Sequence, residues 1–327
     1  MNNSNNTSHF YYQKGIKVFN KLNLQASYNK IGTSDIIIKR IPSICIYCNK
    51  NFTNNKMNHA HLIPELLGKN KSHNEYECNQ CNAISGKWET SLGTFTLPIR
   101  LMSMLKNKKG RIPKFKSRID NYNYPTEISV DNTGRIISKL ATRDDFLIDE
   151  INNSGKLKFR LGGFNPYHVY KAFLKVGLSL MPNEILEKEN WMINYLFQED
   201  LDSKIFPIVY LIHLDDKEMV KPYFELYKHN NGNKYRPKYL LTAYFGKAII
   251  HIVLPIQKPK KKIYINLPSI HKILTPRNNY NIELLDLSNN TNEKWNCTFN
   301  VDIKKRRKEV IFNSSHPVTS IAFKLPH

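Results

Sequence analysis

Four of the chain's five cysteines fall in two Cys-x2-Cys pairs, Cys45/Cys48 and Cys78/Cys81, with 29 residues between the pairs. Two such knuckles are the usual way to present four thiolates to one Zn²⁺ at about 2.3 Å each, so the spacing predicts a structural four-cysteine zinc site. A redox-active pair is the alternative, but it needs a βαβ context around one Cys-x2-Cys, and none is visible. A finger with two cysteines and two histidines matches at Cys45, Cys48 and His61. It fails at the fourth ligand, due at positions that read Glu65, Leu66 and Leu67.

The 327 residues carry 49 Lys+Arg against 27 Asp+Glu, a formal charge of +22 that makes a polyanion such as nucleic acid the first partner to consider. Hydrophobic residues at 41% are enough for a sizeable core, which excludes a globally disordered chain despite the many Asn and Lys. The longest apolar stretches, such as 248–256, contain His251 or Pro255 and fall far short of the ~20 residues that cross a bilayer, so no membrane association is expected. The first residues lack a basic n-region and an apolar h-region, so the cytoplasm is the expected compartment.

Between and after the knuckles, residues 45–93 keep a fixed order. Cys-x2-Cys is followed by His61-Leu62-Ile63-Pro64, then Gly68, then Cys-x2-Cys with Asn82 directly after it, then Gly86 and Glu89. Pro64 cannot donate to a ladder and forces the chain out of a strand, which leaves His61 at a strand end. An imidazole titrating near neutrality is suited to taking a proton from water. Asn82 lies in the first turn of a helix that the second knuckle fixes, and Glu89, seven residues on, returns to within about 20° of the same face. Glu89 has a second reading as a solvated helix residue paired with Lys87. Leu62, Ile63, Leu66 and Leu67 read as core beneath the loop.

The order of these elements resembles the HNH endonucleases of the His-Me finger superfamily, in the form where two Cys-x2-Cys pairs clamp a ββα-metal unit. The resemblance covers about 50 of the 327 residues. It implies a metal-dependent endonuclease that hydrolyses DNA to 5′-phosphate and 3′-hydroxyl ends. His61 is implied as general base, Asn82 as a ligand of a catalytic Mg²⁺ or Mn²⁺, and Asn74 as the middle Asn that braces the loop between the strands. The position before the base, acidic or His in the family, is here Ala60, which has no donor atom. Glu89 and His59 are the substitutes, Glu89 first because a carboxylate suits a hard cation. A zinc-dependent nucleic-acid-binding protein that has lost the catalytic metal is the competing expectation. Defence against foreign DNA, or a mobile element, is the setting the resemblance implies.

Residues 100–118 hold Arg100, Lys106, Lys108, Lys109, Arg111, Lys114, Lys116 and Arg118 without one acid, and from Lys106 onward they read as a phosphate-backbone track. DNA is the expected polymer, with RNA open because a basic groove reads backbone before sugar. Two further clusters, KPKKK at 258–262 and KKRRK at 304–308, either extend the track or keep the chain in solution. Beyond the run, strands are expected at about 126–140 around a turn at Asn132–Gly134. A helix is expected from Asn165 (cap) and Pro166 (first turn) to about Leu180, and a second over 183–198. Strands should follow at 205–214, 222–228, 238–245 and 247–255, with turns at Asn230–Asn233 and Gly246. This order predicts an α+β fold. The expected division is an N-terminal segment 1–40 with its first ~8 residues disordered, a zinc-clamped ββα unit 41–100, a basic linker 101–120, and an α+β domain 121–327. That last domain carries no catalytic motif and has room for a protein partner.

Overall fold

A computed structural model describes residues 16–18, 28–36, 38, 40, 44–52, 60–68, 70, 72–107, 109–117, 126–130, 136–139, 146–149, 154–199, 207–213, 220–230, 237–255, 263–265, 281–302, 307–313 and 321–322. His59, Lys108, Arg118, residues 1–8, 132–134 and 258–262 lie outside that set.

In chain order the elements are β1 (Ile16–Val18), β2 (Tyr28–Thr33), a 3-10 turn (Glu65–Leu67), α1 (Asn79–Met102), β3 (Phe115–Ser117), β4 (Thr126–Val130), β5 (Ile136–Lys139), β6 (Phe146–Asp149) and β7 (Ser154–Arg160). Then come α2 (Pro166–Ser179), α3 (Asn183–Lys188), α4 (Trp191–Phe197), β8 (Ile208–His213), β9 (Val220–His229), β10 (Tyr239–Gly246) and β11 (Ala248–Val253). β12 (Ile263–Ile265), β13 (Asn281–Asp286), β14 (Asn296–Asp302), β15 (Arg307–Asn313) and β16 (Ile321–Ala322) complete the α+β fold.

Two helices position the site. α1 starts where the sequence ties it to a knuckle: Cys78 is its extended N-cap, and the Cys78 Sγ accepts from the Cys81 N–H at 3.5 Å. Its Trp88, Leu92, Phe95, Ile99 and Met102 recur every three or four residues and are all buried. α2 begins as the sequence predicts, with Pro166 in the first turn and the Asn165 Oδ1 accepting from the His168 N–H at 3.1 Å. Almost every residue of α2 is buried, because one side meets α1 and another meets a sheet. Phe173 packs on Phe224 of β9, and the Tyr170 hydroxyl donates to the Val253 carbonyl of β11 at 2.8 Å. Gly177 permits this close approach, since a Cβ there would fall 2.8 Å from Leu254 Cδ2.

That sheet is antiparallel and seven-stranded, in the order β16-β13-β8-β11-β10-β9-β2. β10 and β11 are buried on both faces, and Gly246, at φ +58°, makes the turn between them. The four strands expected between 205 and 255 are β8 to β11. The edge strand β2 is new: part of what sequence reading left as an N-terminal segment pairs with β9. A four-stranded sheet (β15-β14-β7-β6), a three-stranded one (β3-β4-β5, containing the strands expected near 126–140) and a parallel pair (β1-β12) complete the pairing.

The single helix expected over 183–198 is two, α3 and α4, broken at Glu189. Burial of this carboxylate explains the break. It accepts from the Tyr239 hydroxyl at 3.1 Å, from the Trp191 Nε1–H at 2.9 Å and from the Lys238 ammonium, and these donors hold Glu189 inside where the helix is interrupted. One contiguous core runs from Cys45 through α1 and α2 to Cys297. No helix among the described residues is long and apolar enough to cross a membrane.

Candidate functional site

Cys45, Cys48, Cys78 and Cys81 bring their sulfur atoms within 4.8 Å of one another, and all four are free thiols. The Cys48 and Cys78 sulfurs are 3.7 Å apart. Ligands at about 2.3 Å in a tetrahedron stand about 3.8 Å from each other, so the cluster has the dimensions of a zinc site. A hydrogen bond with Cys81 holds the Cys45 thiol down at about 4, backbone N–H groups from Cys78, Tyr47 and Cys48 add to this, and burial opposes it. The four sulfurs would hold Zn²⁺ as a structural ion with no position left for chemistry.

After the first knuckle the chain forms a minimal pair of strands. Leu62 N–H donates to the Ser72 carbonyl at 2.9 Å, Asn74 N–H to the Ala60 carbonyl at 2.7 Å, and His61 faces His73 across an antiparallel bridge with ring centroids 4.9 Å apart. Pro64 ends the strand and opens the 3-10 turn, which places Glu65 beside His61. His61 Nε2 lies 3.1 Å from Glu65 Oε1, with 26% and 35% of the two side chains exposed. Ile63 and Leu67 are buried beneath this turn, and Leu62 and Leu66 pack against the core.

The C-terminal half of α2 is the platform on which these pieces sit. The Tyr47 hydroxyl, on the first knuckle, is 2.6 Å from Ser179 Oγ. Asn74 is buried, donates from Nδ2 to Ser179 Oγ at 3.3 Å and to Glu77 Oε2 at 3.4 Å, and accepts from the Tyr76 N–H at 3.3 Å. Lys175 Nζ meets Glu77 at 2.8 Å and Glu89 at 3.7 Å, and donates to Ser85 Oγ at 2.7 Å. Ser85 in turn donates to the Asn82 carbonyl at 2.8 Å. Burial pushes Glu77 up to about 7 and raises Glu89 as well, with Lys175 opposing both. Glu65 lies near enough to Glu89 to raise it further.

Of the residues singled out from sequence, the structure brings His61, Asn74, Asn82 and Glu89 onto this one unit. Asn82 sits half-buried in the first turn of α1, and Glu89 lies on the same helix, paired with Lys175; Lys87 pairs with Glu199 instead. Glu65, Glu77 and Lys175 escaped sequence reading. The four-residue spacing of His61 and Glu65 was a usable signal. So was Lys175 in an apolar helix, since a charge there needs a buried counterion. At the positions implied to hold Mg²⁺ or Mn²⁺, Ala60 offers no ligand, Glu89 pairs with Lys175, and His59 lies outside the described residues. Among the described residues, the cysteine cluster alone brings three or more His, Cys, Asp or Glu ligand atoms together.

The basic run divides. Arg100 faces inward and donates to the carbonyls of Leu66 at 3.1 Å and Gly93 at 2.6 Å. Lys106, Lys109 and Arg111 are exposed. Lys114 and Lys116, also exposed, share Glu127.

Compared with curated proteins and with solved structures, the chain finds no match. The family described as HNH endonuclease does match it, over residues 45–88, the stretch from the first zinc ligand through the His61 bridge to Trp88 of α1, a likeness that implies nucleic acid as the substrate class.

Proposed function

We propose that the chain is an endonuclease that hydrolyses DNA phosphodiesters, with His61 as the general base. The observation that carries this reading is the contact of His61 with Glu65, at the mouth of a zinc-clamped unit of the matching family. His61 takes a proton from the attacking water at Nε2 as the new P–O bond forms, Nδ1 being buried, and the Glu65 carboxylate beside the same nitrogen balances the charge the ring gains. The P–O3′ bond breaks as the leaving 3′ oxygen takes a proton from solvent water to become a hydroxyl, and the other fragment keeps a 5′-phosphate. Asn74 ties the loop to Ser179, and Lys175 ties α1 to α2, so both hold the geometry without touching substrate. Residues 41–100 are the cleaving unit in this reading, 101–120 the connector with Lys106, Lys109 and Arg111 toward phosphates, and 121–327 the support that completes them. Defence against foreign DNA, or a mobile element, is the proposed setting, in the cytoplasm.

A second reading, a binding protein without cleavage, is favoured by Ala60 and by the Lys175–Glu89 pair, which leave a catalytic cation fewer ligands among the described residues. The test is cleavage of supercoiled plasmid, beside an RNA of similar length, with and without Mg²⁺ or Mn²⁺. Wild type is compared with His61→Ala, Glu89→Gln and His59→Ala. The endonuclease reading expects nicking that His61→Ala abolishes. Loss in Glu89→Gln but not His59→Ala would mean that Glu89 leaves Lys175 for the cation, and the reverse would put the cation on the strand side. Plasmid that stays intact but bound establishes the second reading.

A further inference from the structure

The seven-stranded sheet delivers two cations to the side of the His61–Glu65 pair that the linear sequence keeps far from it. β9 begins beside the β10–β11 turn, with Val220 paired to Gly246, so Lys221 and Lys247 flank that pair diagonally. This corner packs on the end of α1. Lys247 N–H donates to Ser103 Oγ at 2.8 Å, and a Cβ at Gly246 would fall 3.1 Å from Leu105 Cδ1. It also packs on the 3-10 turn that carries Glu65: a Cβ at Gly68 would fall 2.8 Å from Pro222 Cγ and 3.9 Å from Leu105 Cδ2. Gly68 closes the 3-10 turn by donating to the Glu65 carbonyl at 3.1 Å. The corner is thus one turn from the carboxylate that meets His61.

Leu105 leads directly into a loop that Asn107 holds in shape. Its Oδ1 accepts from the N–H groups of Lys109 at 2.9 Å and Arg111 at 3.1 Å, and its own N–H donates to the Arg111 carbonyl at 2.9 Å. Lys106, Lys109, Arg111 and Lys221 are exposed and Lys247 is half-buried. Among the described residues no carboxylate pairs with any of the five, whereas Lys114 and Lys116 are already neutralised by Glu127. Cations gathered without counterions from three distant segments create a field that a polyanion satisfies.

We infer that Lys221 and Lys247, with Lys106, Lys109 and Arg111, form one phosphate-binding corner that holds the backbone of the nucleic acid as it leaves the His61–Glu65 pair. This rests on the endonuclease reading for its substrate and gives the C-terminal region a direct part in binding it. The span fits. Glu65 and Gly68, three residues apart, are separated by at most about 11 Å of chain, and a strand of duplex carries a phosphate about every 3.4 Å of axis. A backbone that meets His61 therefore meets this corner within a few nucleotides.

The experiment is equilibrium binding of the full zinc-loaded chain to two duplexes of unrelated sequence, from about 50 to about 400 mM salt. Lys221→Ala/Lys247→Ala is compared with Lys156→Ala/Lys158→Ala, which removes two exposed lysines from β7. Two lost phosphate contacts lower the slope of log affinity against log salt by about 1.8, equally for both sequences, so each contact is worth about 3.5-fold over a fourfold rise in salt. The β7 variant keeps the wild-type slope, and Lys221→Arg/Lys247→Arg restores it. An unchanged slope in the corner variant, or an equal drop in the β7 variant, overturns the assignment. Should the slope fall while plasmid is never cut, the binding corner stands and the endonuclease reading fails. Cleavage that needs His61 together with an unchanged slope does the opposite.

Discussion

Replacing Lys175 with Met tests whether the unit is held together through α2. The Glu77 side chain is fully enclosed and Lys175 is 7% exposed, so the substitution leaves one carboxylate in the interior without its cation at 2.8 Å. Glu89 matters less here, because its side chain is 32% exposed and water takes over part of what Lys175 gave it. Removing one partner of a buried pair costs about 3–5 kcal/mol while the other stays charged, but Glu77 is already pushed up to about 7 beside Lys175 and takes a proton at pH 8 once the cation is gone. Lys175→Met should therefore lose about 1–3 kcal/mol at pH 8, the cost of leaving buried polar groups without their partner. Lys175→Met/Glu77→Gln, which removes both charges, should recover about half or more of it as a coupling energy. Urea unfolding followed by tryptophan fluorescence reads the change, since Trp88 and Trp295 are both buried in the shared core. A constant m-value confirms that stability rather than compactness has moved. A loss below about 1 kcal/mol, or a double variant no better than the sum of the two singles, would refute the reasoning and reduce the pair to a packing contact.

Two other outcomes follow from the geometry. Elemental analysis should find one tightly bound zinc per chain, and Cys45→Ser or Cys81→Ser should abolish it and unfold the knuckle region, because the ion supplies folding energy that this small segment lacks; a variant that stays folded without zinc would contradict this. His168 is lowered to about 4 from 6.5 by burial, with Lys87 and Lys171 adding to it, so the unfolded chain binds its proton first as pH falls. Stability contributed by the neutral ring is thus lost between about pH 6.5 and 4, and His168→Gln should flatten that part of a pH–stability curve, which an unchanged slope would disprove.

Sequence showed most about the fold where the signal was local. The Asn165-Pro166 start of α2, the Gly246 turn and the strands β8 to β11 all follow from residues within a few positions of one another. The break at Glu189 did not, because the groups that pull its carboxylate inward include Lys238 and Tyr239, about fifty residues away on another element. β2 was missed for the same reason, as an edge strand declares itself through its partner β9 rather than through its own short pattern.

The site divides along the same line, with a consequence for how it works. The zinc ligands and His61 are legible because thiolate spacing and a Pro three residues after a His carry their chemistry within the segment. Glu89 shows the limit. Helical periodicity places it on the face of Asn82, and that is where it is, yet its partner is Lys175, 86 residues on. A carboxylate free by periodicity is thereby neutralised by topology. The same helix α2 also receives Tyr47 and Asn74 through Ser179, so knuckle, loop and α1 are each fastened to it by a separate polar contact. A segment matching a nuclease family over residues 45–88 therefore depends for its shape on residues 175 and 179, outside the match. Substitutions in α2 should consequently change the His61 site as surely as substitutions within the motif.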